Sequence, residues 1–291
     1  MQIKRFTFNP FQENTWLAEA GNGLVFVVDP GCGEGREMDA LLSEVAKTAR
    51  GTLDAILLTH GHADHLLGAA ALQKRFGCPV LMHPADRATI LSCRDFINLP
   101  GFDTANLAFP KTTEISSGTL TLTAKNNCTS ESGTNSGDGT DASVGQNPLA
   151  ATGADAAVRQ NPPAVSGADA AAGQNPPATT SVELQVEVIE TPGHTPGGVC
   201  FLLRNSGVLF SGDTLFAGTI GRTDLPGGEY DLLIKSVMDS LMGLDADIEI
   251  LPGHGTTSTI GWERTHNPFL EPWGEPEEPF DPDATPITLH A

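Results

Sequence analysis

The sequence predicts a layered α/β fold, on three observations. Short apolar runs alternate with helical periodicity through the first half of the chain. These runs end in turns rich in Gly and Pro. The same strand-then-turn pattern resumes near residue 182, beyond a segment of different composition. Apolar residues are 39% of the 291, enough to bury a core.

Val25–Val28 is a short apolar run closed by Asp29-Pro30-Gly31, the signature of a strand and a turn. Met38, Leu41, Leu42 and Val45 follow at i, i+3, i+4, i+7 and predict an amphipathic helix stopped by Gly51. Glu34 and Glu37 near its start, and Lys47 and Arg50 near its end, suit the helix dipole. Ala55–Leu58 reads as a buried strand. A second helix runs from Leu66 to Phe76, with Asp64 placed to cap it, and Pro79–Met82 is another strand.

Residues 125–181 break the pattern. They are rich in Asn, Gly, Ser, Thr, Ala and Pro, and Gln-Asn-Pro recurs at 146, 160 and 174. Such a segment cannot offset its ordering entropy by burial, so a disordered low-complexity insertion is expected. Thr119–Thr123 before it and Val182–Val188 after it both alternate apolar and polar residues. The insertion therefore lengthens a hairpin turn, which costs only logarithmically in loop length. Strands at Val199–Leu203, Val208–Phe210 and Ile248–Leu251 and a helix from Asp231 to Leu241 complete one domain over residues 1–270. Residues 271–291 form an acidic, proline-rich tail.

Lys and Arg number 16 against 36 Asp and Glu, a net charge of −20. That disfavours nucleic acid and anionic membrane surfaces as partners. Five cysteines without a CxxC pair suit a reducing compartment. No signal peptide or membrane-length apolar run is read, so a soluble cytoplasmic protein is expected.

Four segments carry the chemistry: Thr59-His60-Gly-His62-Ala-Asp64-His65, Thr191-Pro-Gly-His194, Ser211-Gly-Asp213 and Pro252-Gly-His254. Each follows an apolar strand, where loops of an α/β fold converge on a site. Five of the eight histidines fall in them. Neutral imidazole and carboxylate are ligands for zinc and similar divalent ions. Taken singly, His194 and His254 also read as turn residues, and Asp213 as a cap. The 60–65 cluster does not, since three His and one Asp within six residues are costly together without a metal. Seven ligands suit two metals if one carboxylate bridges, and Asp213 is the natural bridge.

The order His-x-His-x-Asp-His at 60–65, then His194, Asp213 and His254, resembles the metallo-β-lactamase fold superfamily. Gly212-Asp213-Thr-Leu-Phe-Ala-Gly-Thr-Ile-Gly-Arg222-Thr-Asp224-Leu-Pro-Gly-Gly228 is similar to the glyoxalase II-like hydrolases, the hydroxyacylglutathione hydrolases. The resemblance covers roughly residues 1–124 and 182–270. It implies an αββα sandwich, two sheets with helices outside. It also implies that His60, His62 and His194 hold one metal, that Asp64, His65 and His254 hold the other, and that Asp213 bridges. Two divalent ions are implied, zinc first, with iron or manganese as alternatives. The implied reaction is hydrolysis of a small-molecule thioester by a metal-bridging hydroxide, with Asp64 orienting the nucleophile. Arg222 reads either as a contact for a substrate carboxylate or as half of a structural pair with Asp224. Full-length glyoxalase II enzymes add a C-terminal helical domain that grips glutathione, whereas the residues after His254 here are largely acidic and Pro-rich. A different thiol carrier is therefore open. Two alternatives stand beside the hydrolase: a mononuclear iron persulfide dioxygenase of the same fold, and a non-catalytic metal-binding relative. Oligomeric state is not legible.

Overall fold

The computed structural model describes residues 1–96, 98–99, 102–103, 108–124 and 182–270, with side chains described up to Ser92 and again from Ala108. The expected low-complexity insertion, 125–181, and the tail, 271–291, lie outside these residues.

The chain opens with β1 (Gln2–Phe8), β2 (Glu13–Glu19) and β3 (Val25–Val28), then α1 (Arg36–Val45), β4 (Ala55–Leu57), α2 (Ala69–Phe76), β5 (Val80–Met82) and α3 (Arg87–Phe96). A two-residue ladder, β6 (Asn98–Leu99) with β7 (Phe102–Asp103), leads to β8 (Thr112–Glu114) and β9 (Gly118–Thr123). Next come β10 (Glu183–Glu190), β11 (Val199–Leu203), β12 (Val208–Gly212) and a second short ladder of β13 (Leu215–Phe216) and β14 (Thr219–Ile220). Helix α4 (Tyr230–Ser236), β15 (Glu249–Pro252), β16 (Ser258–Thr259) and α5 (Ile260–His266) complete the described chain.

Two six-stranded sheets result, in the orders β1-β2-β3-β4-β5-β8 and β16-β15-β12-β11-β10-β9. In the first, β3, β4, β5 and β8 run parallel. In the second, β12 and β15 are parallel and the other pairs antiparallel. Strand periodicity divides each strand between two layers. Phe26 and Val28 point between the sheets, against Phe201, Phe210 and Val186 of the second sheet. Val25 and Val27 point the other way, under Leu41 and Val45 of α1 and Leu72 of α2. Across the second sheet, Cys200, Leu202 and Leu209 meet Leu233 and Val237 from the α4 segment and Ile260 of α5. The layering is helix, sheet, sheet, helix, the αββα sandwich that the sequence resemblance implied. Covering both faces explains why β3 and β11 are apolar at every position.

Most predicted elements are found with shifted ends. The predicted hairpin exists: β9 pairs with β10 antiparallel, Thr123 opposite Glu183. Helix α1 stops at Val45, and tight turns intervene before Gly51, so Lys47 and Arg50 lie beyond its last turn. Asp64 does not cap α2. That helix begins after Gly68 with no side-chain cap, and Asp64 sits in a single 3-10 turn, Ala63–His65. Its carboxylate faces His254 instead. The expected helix to Leu241 is α4 plus a π-helical turn over Val237–Leu241.

Candidate metal centre

The four segments singled out in the sequence meet at one rim of the sandwich. β4, β10, β12 and β15 each deliver their segment just past the strand's carboxyl end. Tight backbone contacts lock the loops together. Gly253 N–H donates to Gly212 O at 2.8 Å, and Val199 N–H to Thr59 O at 2.9 Å. Gly212 adopts φ 49, a left-handed angle that favours glycine, and a Cβ there would lie 2.2 Å from Thr59 Oγ1.

Ligand-capable atoms of His60, His62 and His194 lie within 4.8 Å of one another, and so do those of Asp64, His65 and His254. Asp213 stands between the two groups. Its Oδ1 is 3.5 Å from His65 Nε2, and its Oδ2 is 3.5 Å from His194 Nε2 and 3.6 Å from His254 Nε2. His194 Nε2 and His62 Nδ1 are 2.9 Å apart, and His65 Nε2 and His254 Nε2 are 3.3 Å apart. All seven sequence-selected residues are thus in one cluster.

The outer ring nitrogens show which atoms face inward. His194 Nδ1 lies 2.6 Å from Arg222 O, and His254 Nδ1 lies 3.1 Å from Phe11 O. A carbonyl only accepts, so each Nδ1 carries the proton. His65 Nδ1 donates to Asp29 Oδ2 at 3.1 Å. The Thr59 hydroxyl donates to Asp29 Oδ2 at 2.5 Å, which leaves its oxygen to accept from His60 Nδ1 at 3.0 Å. Four imidazoles are therefore held with Nε2 aimed at the centre, in the manner of metal-ligating histidines. His60 Nε2 and Asp213 Oδ1 are buried with no hydrogen-bond partner, a costly arrangement for an empty polar core. Converging lone pairs, orphaned acceptors and two carboxylates fit divalent cations.

The titration directions agree. Burial dominates at His60, and with the neighbouring His65 it holds the imidazole well below the usual range. Burial and His194 bring His62 down to about 4. Both are neutral, as ligands must be. At Asp213 burial opposes ionisation, but His65 and His194 outweigh it and hold the carboxyl well below its ordinary range. Burial likewise acts to lower His65, yet Asp213 and Asp64 raise it well above normal. Protons there offset the carboxylate charge, as a cation would.

Three positioning residues escaped the sequence reading. Asp29, at φ 48, also accepts from Thr59 N–H at 2.8 Å, so both its oxygens are committed to orienting the His60 and His65 segment. Asn14 holds the His254 loop through Pro252 O and Gly255 O. Asp86 joins the loops that bear His60, His62 and His194. The strand-end run Val-Asp29-Pro-Gly was legible, but only the fold puts Asp29 beside His65. Arg222 pairs bidentately with Asp224 at 2.7 Å through both nitrogens, and both side chains are exposed. His83 caps a 3-10 turn and exposed His266 stacks on Trp262. Neither joins the cluster.

The family model described as "Metallo-beta-lactamase superfamily" matches residues 8–115 and 135–254. The chain belongs to that superfamily. Metallo-hydrolase is the class that this fold defines, and the His/Asp cluster is suited to divalent metal ions. An uncharacterised protein of Mycobacterium leprae is 32% identical over 273 residues, 93% of this chain and 99% of that one. Hydroxyacylglutathione hydrolase GloC of Haemophilus influenzae is 50% identical over 84 residues, 29% of this chain and 40% of GloC. Among solved structures, TTHA1623 in a di-iron-bound form has a TM-score of 0.56 at 28% identity, covering 92% of this chain and 100% of that one. BLEG-1 B3 metallo-beta-lactamase also has a TM-score of 0.56, at 27% identity, covering 92% and 99%. No helix among the described residues is long and apolar enough to cross a membrane.

Proposed function

We propose that this chain is a binuclear thioester hydrolase of the glyoxalase II-like branch. The observation that carries the reading is the pair of ligand trios converging on Asp213, with Nε2 of His60 and Oδ1 of Asp213 buried and unpartnered. In this reading His60, His62 and His194 hold one ion, Asp64, His65 and His254 hold the second, and Asp213 serves both. Zinc is the first choice of ion, and residues 1–270 act as the catalytic unit, interrupted by 125–181.

Bound divalent ions lower the pKa of water to about 7 and polarise a carbonyl. The chain's own part is orientation. Asp64 keeps part of its surface open and accepts a hydrogen bond from the attacking water, fixing its direction. Asp29 and the Arg222 and Phe11 carbonyls hold the imidazoles still, so the site does not reorganise as charge develops. A thiolate leaves with little need for a proton, which suits a site in which burial holds His60 and His62 neutral. The partial match to GloC supports the thioester class. Arg222 sits on the loop whose carbonyl fixes His194 and remains the substrate-carboxylate contact in this reading; the acceptor it now holds, Asp224, is solvent-exposed and exchangeable.

The test uses the full chain loaded separately with zinc, iron and manganese. Turnover of lactoylglutathione or simpler acyl thioesters is expected with at least one metal. Oxygen uptake with glutathione persulfide, or β-lactam opening without thioester cleavage, contradicts the proposal.

A further inference from the structure

Beyond the ligands, one buried carboxylate binds two of the converging loops together. Asp86 lies just past the end of β5 and is fully buried. Its Oδ2 accepts from Gly61 N–H at 2.8 Å and from Thr195 Oγ1 at 2.8 Å. Oδ1 accepts from Gly197 N–H at 2.7 Å and from Thr89 Oγ1 at 3.3 Å. Gly61 separates His60 from His62, and Thr195 follows His194. The packing is close on both sides. A Cβ on Gly61 would lie 2.8 Å from Asp86 O, and one on Gly197 would lie 2.7 Å from Asp86 N. The other trio is anchored elsewhere, His65 by Asp29 and the His254 loop by Asn14.

We propose that Asp86 is a positioning residue for one metal site only, fixing the His60–His62 segment against the His194 loop. This rests on the metal-binding reading above. Its carboxylate is needed as such because it meets an obligatory N–H donor on each oxygen. An amide in its place offers one acceptor. Whichever way it turns, its NH2 faces either Gly61 N–H or Gly197 N–H, and neither can rotate away. Either orientation releases a loop of the same trio.

The experiment titrates the metal-stripped full chain with zinc against a chromophoric chelator. The variants are Asp86→Asn, His62→Ala and the double variant. Asp86→Asn should weaken one of two zinc sites about 10- to 100-fold and leave the other unchanged. In the His62→Ala background, where the first site is already lost, it should add no further loss at the remaining site. Equal weakening of both sites, or two unaltered sites, overturns the proposal. If Asp86→Asn does not fold, Thr195→Val decides. It removes one donor to the carboxylate and should weaken the same site several-fold; an unchanged site overturns the proposal. A wild-type chain that takes up no zinc refutes the metal reading itself, which separates the two failures.

Discussion

At Glu13 a carboxyl group is fully buried beside the cluster, with Oε1 unpartnered and Oε2 accepting from Thr15 Oγ1 at 2.9 Å. Burial raises its pKa well above the ordinary 4.5, against the opposing pull of His65. In the metal-stripped chain the sign follows directly. Above that ordinary value the unfolded chain gives up the proton and the folded chain keeps it, so stability present at low pH is lost as pH rises. Glu13→Gln should therefore change the melting temperature little near pH 4 and raise it increasingly toward pH 8. Calorimetry across that range checks the slope. Gly253 gives a second residue-scale prediction. A Cβ there would lie 2.4 Å from Asp213 Oδ1 and 2.6 Å from His65 Cε1. Gly253→Ala should cut metal affinity at least about tenfold, measured by chelator competition, since it displaces atoms of the cluster itself. At this scale the sequence named all seven clustered residues, because strand-end placement and His-rich spacing are local signals. Glu13 and Asn14 carry no such mark, and Asp29 and Asp86 follow strands but stand outside any His-rich spacing. Their roles come from neighbours distant in sequence, such as Asn14 against Pro252.

Strands and helices were legible where one periodicity dominated. The α1 stripe places Leu41 and Val45 in the core, and alternation in β10 buries Val186 and Val188. β1 and β2 were not read. Every β2 residue from Glu13 to Ala18 is buried, polar ones included, because its start doubles as a wall of the site and pairs with the His254 loop. That erases the alternation a half-buried strand shows. Helix α3 escaped as well. Its exposed Leu91 and buried Thr89 reverse the expected pattern, and Thr89 faces Asp86. The element-scale test lies between the sheets. Phe210 of β12 is fully buried, with Phe26 edge-on at 6.1 Å and Trp16 at 6.4 Å between ring centroids. Phe210→Ala should cost about 3–5 kcal/mol in denaturant unfolding. It should leave the metal stoichiometry of the folded fraction unchanged, since the ligand loops are fixed by hydrogen bonds beyond the strand ends.

For the molecule as a whole, the hairpin register separates the two ends that flank residues 125–181 from the site. Residues 125–181 leave and return beside Thr123 and Glu183, whereas His194 follows the other end of β10. Eight strand residues intervene, roughly 26 Å at the usual rise. Replacing 125–181 by a two-residue Asn-Gly turn should leave the fold and metal content intact, with circular dichroism and metal analysis as readouts. Of the whole-molecule features, the αββα layering could not be chosen from periodicity alone, since many α/β folds share that alternation. The ordered His and Asp motif supplied it through the family resemblance. In the proposed reading the two trios and Asp213 form one two-metal centre. Metal content per chain after zinc loading and dialysis tests this directly. The structure predicts two zinc ions in the wild-type chain and at most one in Asp213→Ala. A wild-type chain without bound metal, or two ions retained by Asp213→Ala, would contradict it.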